Sequence, residues 1–144
     1  MTLGLEMMGK SDHWLNKTPR PLFASSVSCG FPSPADDHCE EKLDLNDLLV
    51  RHPSATFFLR AQGDSMKNAG ISSGDMLIVD RSISPKNGTI VVAVINSELT
   101  VKRLRTKGKR VFLTPENDDY PEIELKRENQ VHFWGVVSYV IHAV

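Results

Sequence analysis

From Thr56 to the C-terminus the sequence is a succession of short runs rich in valine, isoleucine, leucine, phenylalanine and threonine, separated at close intervals by glycine, proline, asparagine, aspartate and serine. Runs this short, built of residues that suit a pleated surface and bounded by turn formers, predict strands. They fall at Thr56 to Ala61, Met76 to Asp80, Thr89 to Ile95, Glu98 to Leu104, Val111 to Thr114, Glu122 to Leu125 and Val131 to Ile141. Asn87-Gly88 and Asn96-Ser97 read as turns, and the second joins its two runs at hairpin spacing. So many strands in so little chain predict a mainly β fold of twisted sheets, with sandwich or partly closed barrel character. A chain of 144 residues has room for one ordinary core. The last run is apolar on both faces, as a buried central strand or a dimer seam requires.

The first 55 residues read differently. Residues 1–29 mix glycine, proline, serine and isolated hydrophobes without a sustained period, and predict a flexible N-terminal arm. Next comes Cys29-Gly30-Phe31-Pro32-Ser33-Pro34, which the prolines hold extended and which has the look of a protease substrate. Asp44 is placed to cap one short helix through Leu45, Leu48 and Leu49, ending before Pro53. The expected division is therefore an arm at 1–29, a cleavage-site segment with the helix and a linker at 30–55, and a β-rich domain at 56–144.

Acids and bases nearly cancel, to a formal net charge of -1, which gives no overall footprint for nucleic acid or for an anionic membrane. The basic cluster from Lys102 to Arg110 reads as a solvated hairpin. Two cysteines, Cys29 and Cys39, do not make a zinc-like spacing and read as free thiols; no metal and no cofactor is expected. The N-terminus lacks a signal-peptide pattern, and the apolar run Ile90 to Ile95 is too short to span a bilayer, so the expected location is cytoplasmic, without membrane.

Between the first two predicted strands, Gly63-Asp64-Ser65-Met66 presents a serine on a glycine-led turn. Serine is a poor nucleophile until a neighbour removes its proton. Of the five histidines, His13, His38, His52, His132 and His142, none stands in a pattern that nominates it. A lysine kept neutral by burial is the other solution. In Glu98-Leu99-Thr100-Val101-Lys102-Arg103-Leu104, strand alternation puts Thr100, Lys102 and Leu104 on one face, so Lys102 is the candidate base. To be half neutral near neutral pH it must lose about three pKa units, roughly 4 kcal/mol of desolvation. Backbone N–H groups at Asp64 and Ser65 are candidates for an oxyanion site. Asp64 and Asp75 themselves read as turn formers.

Cys29-Gly30-Phe31-Pro32-Ser33-Pro34-Ala35, His52-Pro53-Ser54-Ala55-Thr56, Gly63-Asp64-Ser65-Met66, Gly74-Asp75 and Thr100-Val101-Lys102-Arg103-Leu104 together resemble the UmuD family, relatives of the LexA peptidase domain. The resemblance runs from about Pro21 to the C-terminus. It implies a LexA/UmuD-like peptidase fold and an autopeptidase with Ser65 as nucleophile, Lys102 as general base and cleavage between Cys29 and Gly30. It further implies stimulation by a RecA filament on single-stranded DNA. The truncated homodimer is then expected to join a UmuC-like polymerase subunit for translesion synthesis in the SOS response. Residues 1 to about 20 depart from the family pattern, which leaves arm docking open.

Three other readings share some of these parts. A LexA-like repressor needs a DNA-binding domain, for which the residues before Gly30 are too few, so direct sequence-specific DNA binding is not expected. A type I signal peptidase uses the same dyad but needs a membrane anchor. A non-catalytic β-domain that only binds a polymerase predicts a chain that never cuts itself.

Overall fold

The computed structural model describes residues 6–10, 17–23, 26–32 and 39–144. It contains two compact units, Met1–Ser11 together with His52–Val144, and Asp12–Arg51.

The larger unit is built on an eight-stranded antiparallel sheet in the order β1-β4-β5-β10-β6-β7-β8-β9. Its strands are β1 (Glu6–Lys10), β4 (Thr56–Arg60), β5 (Met76–Asp80), β6 (Ile90–Ile95), β7 (Glu98–Lys107), β8 (Arg110–Thr114), β9 (Ile123–Leu125) and β10 (Val131–Ile141). β6 to β9 form a meander of neighbours, and β10 returns to lie between β5 and β6. The end strands β1 and β9 do not pair, so the sheet stays open. The mainly β expectation with partial barrel character therefore holds.

β10 serves two neighbours with its two halves: Val131 to Val136 pair with β6, and Val136 to Ile141 with β5. Its register slips between Phe133 and Gly135 and again between Val137 and Tyr139. Each slip is a bulge that bends the strand and raises its twist. Glycine is required at the first, since a Cβ on Gly135 would lie 2.6 Å from Val79 Cγ1 and 3.3 Å from Arg81 Cγ.

Alternation along these strands feeds two apolar clusters. One gathers Leu59, Ala61, Met66, Ile71, Leu77, Val79, Val92 and Val101; the other gathers Val91, Ala93, Leu104, Leu113 and Val136. Successive residues such as Val91 and Val92 thus enter different clusters. Each such side chain contributes about 1.5 to 3 kcal/mol by leaving water. The β6–β7 hairpin turns at Asn96 and Ser97, both left-handed at φ 48° and 70°, the pair of positive φ values that a tight I′ turn needs.

The smaller unit holds a two-stranded antiparallel sheet, β2 (Arg20–Phe23) with β3 (Cys39–Leu43), and the helix α1 (Leu45–Leu49). Asp44 caps α1 as expected: one carboxylate oxygen accepts from Asn46 N at 2.8 Å and the other from Thr18 N at 2.8 Å. Neither β2 nor β3 is evident in the residues, because Arg20 to Phe23 are all exposed and carry no alternation.

Candidate active site

Ser65 lies in the connection from β4 to β5, and the neck of that connection is tightly tied. Ala61 N donates to Asp75 O at 2.8 Å, Gly74 N to Ala61 O at 2.8 Å, and Gly63 N to Ser73 Oγ at 3.2 Å. Gly63 and Gly70, at φ 94° and 80°, supply the left-handed residues that reverse the chain. Between them a short 3-10 turn, Lys67–Ala69, follows Met66, and Met66 and Ile71 anchor the loop in the core. Ser65 is held at the wall of the sheet, only 2% exposed.

Lys102 comes from the middle of β7, opposite Val91 of β6, and is fully buried. Its face is the one alternation predicts, with Thr100 and Leu104 also buried. Nζ lies 3.1 Å from Ser65 Oγ, 2.8 Å from Thr100 Oγ1 and 3.0 Å from Val101 O. Burial pulls the amine from its ordinary 10.5 down to about 8. At pH 7.4 roughly a fifth of such amines are neutral. A neutral amine has two N–H donors and one lone pair. Thr100 Oγ1 and Val101 O accept from Nζ, and in its neutral form the same amine has a lone pair able to take a proton from a hydroxyl.

The loop after β8 grips the serine turn from another side. Glu116 N donates to Ser65 O at 2.9 Å, and Asn68 N returns a bond to Glu116 O at 2.8 Å. Asn117 Nδ2 donates to Asp64 O at 2.9 Å, and Tyr120 Oη donates to an Asp64 carboxylate oxygen at 2.5 Å, which raises the phenol pKa. The Glu116 side chain accepts from Arg103, the neighbour of Lys102. Glu116, Asn117 and Tyr120 carry no signal in the sequence beyond a run of turn formers, whose partners lie far away in the chain.

The remaining candidates are placed as follows. Asp64 and Asp75 act within turns: Asp64 receives Tyr120, and Asp75 accepts Ser72 N at 2.7 Å and pairs with His142 at 2.5 Å. His52 pairs with Asp80 at 2.6 Å, and His132 is exposed. His13 and His38 lie outside the described residues. Cys29 and Gly30 belong to the smaller unit; both are exposed, the Cys29 thiol is free, and Gly30 N donates to Ser28 Oγ at 3.3 Å. No group that could hold a metal ion occurs among the described residues. None of their helices is long and apolar enough to cross a membrane.

Comparison with known proteins adds a family. Residues 21–138 match the model for Peptidase S24-like proteins. The chain is 49% identical to Protein ImpA of Salmonella typhimurium over 123 residues, which is 85% of this chain and 83% of that protein. It is 46% identical to Protein MucA of Escherichia coli over 120 residues, 83% of this chain and 82% of that one. It is also 46% identical to the LexA repressor of Shewanella pealeana over 104 residues, 72% of this chain and 50% of the repressor.

Proposed function

The chain belongs to the Peptidase S24-like family as a UmuD-like member, and from that premise we propose that it is a serine autopeptidase that cuts itself between Cys29 and Gly30. The observation that carries this reading is the 3.1 Å contact between Lys102 Nζ and Ser65 Oγ, both of them buried. Burying a lysine amine is costly, and here the cost has a chemical use.

In the proposed reaction the Cys29 carbonyl is presented to Ser65. Neutral Lys102 takes the hydroxyl proton as Oγ bonds to the carbonyl carbon. Backbone N–H groups at Asp64 and Ser65 receive the negative oxygen of the tetrahedral intermediate. Its collapse breaks the Cys29–Gly30 bond, the Lys102 ammonium passes its proton to the Gly30 nitrogen, and an ester remains between Ser65 and Cys29. Lys102 then takes a proton from water, hydroxide adds to the ester, and Ser65 leaves with the proton restored. The sum is one peptide bond and one water converted to a carboxylate and an ammonium group.

On this reading residues 1–29 are the segment removed, residues 30–55 carry the new N-terminus and the linker, and residues 56–144 are the peptidase. The likeness to ImpA and MucA supports a place in SOS mutagenesis. Within that place we assign RecA filament on single-stranded DNA as the stimulus, and a homodimer joined to a UmuC-like polymerase subunit as the product's assembly.

Mass spectrometry of the purified chain incubated at pH 9 tests the proposal. The expected product begins at Gly30; a chain of unchanged mass, with and without recombinase filament, would leave only a binding role.

A further inference from the structure

Asn117 lies in the loop after β8 and is 4% exposed. Its side-chain amide has two ends with two different tasks. Oδ1 accepts from Asp119 N at 3.0 Å and closes the loop's own turn, while Nδ2 reaches across to Asp64 O at 2.9 Å. An oxygen that meets an N–H and a nitrogen that meets a carbonyl fix the amide in one orientation. The Asp64 carbonyl takes a second bond, from Lys67 N at 3.2 Å, and the next carbonyl, of Ser65, is held by Glu116 N. Both carbonyls flanking the nucleophile are therefore tied to the residue 115–120 loop.

In a planar trans peptide the N–H points away from the C=O, and no cis bond occurs among the described residues. Drawing the Asp64 oxygen toward Asn117 turns the Ser65 N–H away from that loop. Resting on the peptidase reading above, we propose that Asn117 is a positioning residue that sets the orientation of the Asp64–Ser65 peptide, and with it the N–H donor offered to the oxyanion.

Aspartate and alanine at this position separate the two tasks. Asn117→Asp keeps an acceptor for Asp119 N, and so keeps the turn, but sets a carboxylate oxygen against the Asp64 carbonyl. Asn117→Ala removes both bonds. A nearby carboxylate acting through Lys102 moves the midpoint of the rate–pH profile, whereas a misdirected N–H lowers its alkaline plateau. Loss of one oxyanion donor costs about 100- to 1,000-fold in rate, and a misaligned one costs less, so the plateau is expected to fall by roughly 10- to 100-fold in both variants.

Self-cleavage rates from pH 6 to 10 for the wild-type chain, both variants and Ser65→Ala read this directly. A wild-type plateau in Asn117→Asp reduces the residue to a loop former and overturns the proposal; should Asn117→Ala not fold, Asn117→Asp alone decides. Cleavage that persists in Ser65→Ala, or a wild-type chain silent at every pH, instead sinks the peptidase reading and this inference with it.

Discussion

Lys102 Nζ stands 3.1 Å from Ser65 Oγ at the end of a side chain with no exposed surface. The two residues are 37 positions apart, one on a loop knotted at its neck and the other in the middle of a strand.

The rate of self-cleavage is predicted to follow the neutral fraction of that amine. With a pKa of about 8, the rate rises about tenfold per pH unit below the midpoint and levels off above it. At pH 6 it is roughly a hundredth of the plateau. Initial rates across pH 6 to 10 check this, and a flat profile removes Lys102 as base.

The same shift predicts a stability that depends on pH. The folded pKa of Lys102 is depressed, so below about pH 8 both folded and unfolded chains carry the proton and folding bears the whole cost of burying the charge. Between about 8 and 10.5 the unfolded chain holds more protons, and that cost fades as pH rises. Lys102→Met, which keeps the stem and drops the charge, should raise stability at pH 7 by about 1 to 3 kcal/mol and by much less at pH 10. Urea unfolding at the two pH values measures both.

Asp80 supplies the opposite sign. Burial alone would raise its carboxyl pKa, but bonds from Ser82 and His52 outweigh burial and leave it below the usual 3.8. Its contribution is therefore present above about pH 4 and is lost as pH falls through the lowered value. Asp80→Asn is expected to cost about 1 to 3 kcal/mol at pH 7, with the difference closing in acid. An acid titration of thermal melting for the two proteins checks it.

Gly135→Ala tests the bend in β10. The added methyl meets Val79 Cγ1 at 2.6 Å in a strand held on both sides, so a loss of about 1 to 3 kcal/mol is expected. Urea unfolding with an unchanged midpoint would mean that the bulge gives way easily.

Much of this was legible in the residues, for a physical reason. Where a strand buries one face, the pattern writes itself into the sequence: Met76–Asp80 and Val131–Ile141 have the predicted bounds. β7 runs on to Lys107, beyond the expected Leu104, because Arg105 to Lys107 are exposed and join the sheet through the backbone of β8. β1, β2 and β3 went unseen in a segment that shows no period. Lys102 was legible because Thr100 and Leu104 mark its face as inward. Asn117 was not, since its partner Asp64 is 53 residues away and nothing local distinguishes it from any other turn residue.

The central claim concerns one amine, and NMR titration of isotopically labelled lysine side chains reads it directly, with the Lys102→Met spectrum assigning the resonance. The account predicts a midpoint near pH 8 for Lys102. A midpoint at the ordinary 10.5 would contradict it.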